Sequence, residues 1–328
     1  MISKKAFFFT LTILFLITLL LLISFSYRKE YTRESIKTRL FVGNSLVEAI
    51  EKDAERAIYI SGRRTIIALL DYVVTRGYID ESKNFDDIFK EAFLNGTLNT
   101  TLQYAGADAI LENTTFEDWK NATIARVQNF KFDLTFYGEP EISINQSTPW
   151  AIDMNLNISY KLEDKEIRAV WIRNLTLVGK IPILGLEDPL YVREFGKNVA
   201  NVIHKTNVSV FVTDDCDISN LSYHLDPGLN QTGSLYINNS QAPNFLSRLK
   251  GNASAKDFAG IESIIHREKL ENLDIEISNT TSLVDHSYFE NAMNNLTGVL
   301  GIPWLLMTCQ EASEIYRIPA ECTTNSEC

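Results

Sequence analysis

Residues 6–25, AFFFTLTILFLITLLLLISF, are twenty consecutive positions without a charged side chain. As an α-helix such a run rises about 30 Å, the hydrocarbon thickness of a bilayer. The sequence therefore predicts a transmembrane helix over residues 6–26 behind a cytoplasmic tip of residues 1–5. A cleaved secretory signal would have a shorter apolar stretch ending in small residues. Ser24-Phe25-Ser26-Tyr27 matches that poorly, so the anchor is expected to stay.

The flanking charges do not orient this segment. Lys4 and Lys5 precede it, but Arg28, Lys29, Arg33, Lys37 and Arg39 follow it, against the usual cytoplasmic excess of basic residues. Acceptor triplets for N-glycosylation decide instead. Asn-x-Ser/Thr begins at Asn95, Asn99, Asn113, Asn121, Asn145, Asn157, Asn174, Asn207, Asn220, Asn230, Asn238, Asn252, Asn279 and Asn295, fourteen in all. With 26 Asn and 48 Ser plus Thr in 328 residues, chance supplies about four such triplets, and the excess points to a glycosylated, extracytoplasmic face. The expected location is the plasma membrane, single-pass, with the C-terminal body at the cell surface.

Charge and cysteine usage agree with that compartment. Beyond residue 29 there are 27 basic against 42 acidic side chains, a net charge of −15. A surface that acidic repels phosphate, which excludes general nucleic-acid binding. Cys216, Cys309, Cys322 and Cys328 all lie distal to the anchor, with no C-x-x-C pair, so two disulfides are expected rather than a metal site. Three pairings are open. Cys216 with Cys309 and Cys322 with Cys328 is preferred, because the last two can close a short tail loop.

The pattern beyond the membrane is α+β. Residues 27–78 read as an extended helix continuing the anchor, together a rod of roughly 70 residues and about 100 Å. Its stripe of Ile36, Leu40, Gly43, Val47, Ile50, Ala54, Ala57 and Ser61 recurs at spacings of four and three. Small residues on that stripe allow close approach of another helix or of a sheet, and contact with another copy or a partner helix near the membrane is the expectation for Ile36 to Ala57, the alternative being that the sheet of the same chain covers the stripe. Residues 79–183 read as helices at 85–94 and 116–130 followed by an antiparallel meander. The second helix is opened by Thr114 or Thr115 with Glu117 as capping partner. Alternation over 130–136, 152–162 and 165–180 marks the strands, with the long helix covering one face. From residue 184 a second, smaller and more irregular disulfide-containing lobe is expected, with a strand at 208–213 and a short helix at 245–249. In its connector GLEDPLYVREFG, Pro189 argues against an ordinary helix.

Candidate chemistry is sparse. His204, His224, His266 and His286 show no H-x-x-x-H or H-E-x-x-H pairing, and satisfied structural histidines are the safer reading. Asp285, His286 and Ser287 are adjacent in DHSYF, but neighbours in a strand point to opposite faces and cannot form a triad. Asp214, Asp215 and Asp217 offer clustered carboxylates to calcium; their spacing is not that of an EF-hand, and a solvated acidic turn is favoured. Glu51, Asp53 and Glu55 alternate with Lys52 and Arg56 as on a solvated helix face. No catalytic residue, cofactor or metal site is assigned.

The order of these segments resembles type IV pilin-like proteins of archaea: a short basic tip, Lys5-Ala6 followed by Phe7-Phe8-Phe9, an apolar helix continuing outward, then a glycosylated head. The resemblance implies class III signal cleavage between Ala6 and Phe7. Leu11 stands at the fifth position after that cut, where many pilins carry Glu, which implies an anchored or minor pilin-like protein rather than a major filament subunit. The distal lobe resembles surface proteins of the same layout through the stretches at 185–190 (GLEDPL), 245–252 (FLSRLKGN) and 260–263 (GIES). The expected function is a non-enzymatic, N-glycosylated cell-surface protein, a pilin-like subunit or anchored adhesion or assembly module. Its partners are the membrane and, through the N-terminal helix, itself or other pilin-like subunits. The alternative is a membrane-tethered enzyme acting on envelope glycans or peptides.

Overall fold

The computed structural model describes residues 4–80, 82–196, 199–229, 232–291 and 295–325; within the first helix, side chains are described at 12–26 and from 34 onward. Helix α1 (Lys4–Arg76) leads into α2 (Phe85–Asn95), α3 (Asp108–Leu111) and α4 (Phe116–Gln128). Three long strands follow, β1 (Phe132–Thr148), β2 (Ala151–Asp164) and β3 (Val170–Pro182), forming one antiparallel sheet in the order β1-β2-β3. The rest carries short helices, α5 (Pro189–Glu194), α6 (Ser219–Leu225), α7 (Phe245–Leu249), α8 (Arg267–Glu271) and α9 (Asp285–Phe289). Between them lie two small antiparallel pairs, β4 (Ile237–Asn238) with β5 (Ile261–Glu262) and β6 (Leu296–Val299) with β7 (Ile302–Thr308). The class is α+β, with a long helix and an antiparallel sheet.

Among the described residues no helix is long and apolar enough to cross a membrane. The expected span 6–26 lies partly outside them: side chains are described only from Thr12 to Ser26, and all of these are exposed. The side chains of Ala6 and Phe7, where signal cleavage is expected, also lie outside the described residues, as do Asn230 and Cys328.

Two compact units divide the chain: Met1–Ala54 with Lys120–Pro140 and Ile158–Leu175, and Glu55–Trp119 with Glu141–Asn157 and Thr176–Cys328. In the first, α1 lies on the sheet through small residues. A side chain on Gly43 would overlap the Trp171 ring, whose Nε1 donates to Asn44 Oδ1 at 2.8 Å. Val47, Ile50 and Ala54 are buried on the same face. Arg39 completes the contact. Its Nε donates to Asp164 Oδ2 at 2.7 Å while the guanidinium stands over Phe132, 4.7 Å from the ring centroid. Burial alone would raise the Asp164 carboxyl; Arg39 and the amides of Ile167 and Glu166 outweigh it and hold the group below its ordinary value. Glu51, expected on a solvated face, instead lies 3.5 Å from the Tyr160 hydroxyl and 3.6 Å from Arg173.

The second unit repeats the device. Gly62 makes room for Ile181 and Met154, and Gly179 for Ile58. The chain's own sheet therefore covers the stripe from Gly43 onward, which corrects the expectation that Val47, Ile50, Ala54 and Ala57 face another copy. Only Ile36 and Leu40 of that stripe, with neighbouring Phe41, are left exposed.

Local signals set the ends of the shorter elements. Asn84 caps α2 by accepting from Asp86 N, and Gly96 ends it in the left-handed region at φ 73°. Thr115 opens α4, but its reciprocal partner is Asp118 rather than Glu117: Thr115 Oγ1 accepts from Asp118 N at 3.0 Å and Asp118 Oδ2 from Thr115 N at 3.0 Å. β1 is twice as long as its alternation suggested, and it tolerates Pro140 because it is an edge strand. Pro189 starts α5 instead of preventing it; at the first helical turn its missing N–H costs nothing, and Asp188 caps the helix. The expected strand at 208–213 is irregular chain.

A core of Tyr191, Phe211, Leu221, Ile264, Leu305 and Tyr316, among others, fills the distal part of this unit. Cys216 is bonded to Cys322, not to Cys309, which corrects the preferred pairing. Cys309 is also oxidised, and no described cysteine is free. The bond closes a separation of 106 residues, for which loop-closure entropy alone supplies about 4–5 kcal/mol.

Because the Trp171 ring leaves no space at Gly43, Gly43→Leu is expected to lower the stability of the intact protein by about 1–3 kcal/mol, read as a fall in the midpoint of thermal unfolding. A variant as stable as the parent would show that the sheet does not cover α1 at this level.

Candidate functional site

The three distal stretches quoted above, 185–190, 245–252 and 260–263, meet in the interior of the second unit. Asp188 from the first, Arg248 from the second and Ser263 from the third converge there, joined by Asp285 of α9. Arg248 is completely buried. Its Nη1 donates to Asp188 Oδ2 at 2.6 Å and to Asp285 Oδ2 at 2.9 Å, its Nη2 to Asp285 Oδ1 at 3.2 Å and to the Ile261 carbonyl, and its Nε to the Pro243 carbonyl at 3.2 Å. All five guanidinium N–H groups are thereby used.

The carboxylates are satisfied as fully. Asp188 accepts from the Tyr236 hydroxyl at 2.8 Å and from Leu190 N at 2.9 Å. Asp285 accepts from Ser263 Oγ at 2.9 Å, Ser263 N at 3.0 Å and His286 N at 2.6 Å. Asn201 Nδ2 donates to the Tyr236 hydroxyl at 3.0 Å, and the Tyr191 hydroxyl shares a 2.9 Å hydrogen bond with Ser263 Oγ. Burial disfavours the charged arginine, but the two aspartates hold it protonated. Burial also raises the Asp188 carboxyl against the pull of Arg248, and it pushes both tyrosines well above their ordinary value, so that they remain hydrogen-bond donors.

Beside this centre the DHSYF residues part company. They form the one-turn helix α9 rather than a strand, and each side chain takes a different partner. Asp285 is committed to Arg248. His286 Nε2 lies 3.0 Å from Glu262 Oε2, which also accepts from Asn239 Nδ2 at 2.6 Å. Ser287 Oγ donates to Glu311, which further accepts from Ser282 Oγ and Thr308 N, each at 2.7 Å. No Ser-His-Asp relay is assembled from the three. Burial would lower His286, but Glu262 outweighs it and the imidazole sits above its usual value; burial raises the Glu311 carboxyl.

The other histidines are scattered. His224 is buried with Nε2 3.2 Å from Ser234 Oγ, its ring at 5.0 Å from that of Phe211. His266 lies against Trp304 at 4.8 Å, and the His204 carbonyl accepts from Tyr236 N at 2.7 Å. Asp215 and Asp217 are tied into local turns by Thr213 and Ser219. Among the described residues no group of three His, Cys, Asp or Glu side chains is placed to hold a metal ion.

The surface carries the acceptor asparagines. Of the thirteen described, twelve are exposed and Asn252 is half-buried. By contrast, Asn201 and Asn239, whose side chains are buried in the polar network, stand outside any acceptor triplet. The period-two alternation of the strands sets Asn145, Asn157 and Asn174 on the outward face of the sheet, away from α1. An open groove of about 840 Å³ adjoins β4, lined among others by Trp150, Lys205, Asn207, Asn238, Phe258 and Arg317.

No family model, curated protein or solved structure matches this chain. Sequence reasoning missed Arg248 as the centre of the unit. The signal was there: an arginine inside the apolar turn Phe245-Leu246-Ser247-Arg248-Leu249 has no route to water from a buried helix face. Tyr191, Tyr236 and Glu311 carried no comparable signal, because their roles depend on long-range packing.

Burial pushes His224 down to about 3, against about 6.5 in an unfolded chain. Below pH 6.5 the unfolded state takes up a proton that the folded state refuses, so stability falls as pH drops from about 6.5 toward 3, by about 1.4 kcal/mol per unit. Glu311 acts in the opposite sense, since its raised carboxyl loses stability as pH rises. His224→Phe leaves Ser234 Oγ bonded to Leu235 O and Ile264 N. Denaturant midpoints measured from pH 4.5 to 7 should therefore show a shallower acid loss in the variant than in the parent; parallel curves would refute the assignment.

Proposed function

We propose that this chain is a non-enzymatic, N-glycosylated cell-surface protein of pilin-like layout, held in the plasma membrane by residues 6–26 with its C-terminal body outside. The observation that carries the reading is the display of the acceptor asparagines. They are enriched several-fold over chance in sequence, and every described one reaches the surface, while the asparagines the fold buries are not acceptors. An enzyme that transfers a glycan needs the side-chain amide in solvent, and this distribution supplies it. The apolar side chains of residues 13–25 support the anchor: Leu14, Phe15, Leu22 and Phe25 are among the most exposed large hydrophobic groups in the protein, a state that a bilayer relieves and water does not.

On this reading the charged network around Arg248 is architecture. It is sealed from solvent, and the guanidinium and both aspartates are committed to one another and to their neighbours, which suits holding irregular chain together. Association with another copy or another pilin-like subunit falls to the helix before Gly43, where Ile36, Leu40 and Phe41 are exposed.

Site-resolved mass spectrometry of protein from its own host, combined with protease treatment of intact cells, tests the proposal. Glycans are expected at several of the exposed asparagines, and the body should be cleaved from outside. Protein bare at every acceptor site, with its body protected from external protease, would overturn it.

A further inference from the structure

The groove beside β4 combines two features that bear on each other. First, it exposes aromatic surface: Phe258 is 89 % exposed and lines the groove with Trp150, over whose ring Lys205 Nζ stands 5.5 Å from the centroid. A phenyl ring held in water at the lip of a concavity is unfavourable, and it is stabilised by any apolar face laid on it. Second, two acceptor asparagines, Asn207 and Asn238, lie in the groove wall. Lys205 and Tyr236 bridge in parallel, so Asn207 and Asn238, each two residues further on, leave the bridge in the same direction. Both are exposed.

Asn238 is the better held of the two. It sits on β4 opposite Ile261, and the next residue is pinned inward by the 2.6 Å hydrogen bond from Asn239 Nδ2 to Glu262. Phe258 lies in the turn that leads into β5, three residues before Ile261, the partner of Asn238. At two other acceptors the amide is engaged within the protein: Asn157 Nδ2 donates to Glu141 and Asn220 Nδ2 to the Val210 carbonyl.

Resting on the glycosylation reading above, we propose that the groove is a saccharide subsite filled by the protein's own N-linked glycan, carried on Asn238 and laid across Phe258 and Trp150. Attachment replaces one N–H bond of the amide Nδ2 by an N–C bond to the anomeric carbon. The phosphate of an activated glycosyl donor departs, and the amide proton passes to a base of the transferring enzyme. A sugar ring offers C–H groups on its faces and hydroxyls at its edge, which matches a groove combining aromatic faces with amide, hydroxyl and charged side chains. The tether makes weak contacts sufficient. A ligand linked to the wall of its own site is present at an effective concentration in the millimolar range, so contacts too feeble to hold a free oligosaccharide hold an attached one.

Limited periodate oxidation of the native glycoprotein, followed by site-resolved mass spectrometry, reads how freely each glycan moves in solvent. The glycan on Asn238 is expected to oxidise several-fold more slowly than those on Asn113 and Asn279. Phe258→Ala should bring it to their rate without altering theirs, and Phe258 is exposed enough that its loss leaves the core intact; Trp150→Ala is the second variant. Equal rates in the parent, or no response to either variant, would overturn the proposal. Glycans at Asn113 and Asn279 with Asn238 bare would overturn this inference alone, as would slow oxidation at Asn207 beside a bare Asn238. The absence of glycan at every site would overturn the functional reading as well.

Discussion

Arg248 is the constraint around which the distal chain is arranged. A guanidinium removed from water costs several kcal/mol unless each N–H finds an acceptor and the charge finds a counter-charge. Here the acceptors come from chain segments far apart in sequence, Asp188 before α5, Pro243 before α7, Ile261 on β5 and Asp285 at the start of α9. Satisfying one side chain thus fixes the relative placement of four pieces of backbone, in a region whose strands and helices are mostly two to seven residues long. Elements that short have little stability of their own. Their positions are held by the apolar core around Tyr191 and Tyr316, by the bond between Cys216 and Cys322, and by this buried charge cluster.

The proximal chain is built on the opposite principle. There the elements are long, and what brings them together is the absence of side chains. Gly43, Gly62 and Gly179 let Trp171, Ile181 and Ile58 reach the facing backbone, and the buried carboxylate of Asp164, at the end of β2, is paired with the half-buried Arg39. This is why the proximal fold was readable. A stripe of spacing three and four and an alternation of period two are properties of consecutive residues, and they located α1, β2 and most of β3 within a few positions. What the stripe could not say is what covers it, since a surface of Gly, Ala and Val suits a second helix and a sheet equally. The sheet covers it.

The distal chain was legible only in fragments. Asp188, Arg248 and Ser263 lie in the three short stretches that stood out in sequence, yet their meeting depends on contacts across tens of residues, for which there is no periodic signal. The same limit explains the disulfide. A short loop between Cys322 and Cys328 was attractive on separation alone, but the packing of the chain around Thr213 and Pro319 puts Cys216 beside Cys322. Pro189 misled for a different reason: proline was weighed as a breaker when its position directly after a capping aspartate makes it a helix start. In the proposed function the division of labour follows from these facts, with buried polar groups committed to architecture and surface asparagines left for glycans.

The central claim is that the buried charges hold chain segments together. Denaturant titration of the intact protein carrying Arg248→Met tests it most directly, because the substitution keeps the bulk and removes the charge that two buried aspartates require. The account predicts a loss of about 3–5 kcal/mol in unfolding free energy, only partly recovered by Arg248→Lys, whose ammonium offers three donors in place of five. An Arg248→Met protein within about 1 kcal/mol of the parent, the scale of an exposed ion pair, would contradict it.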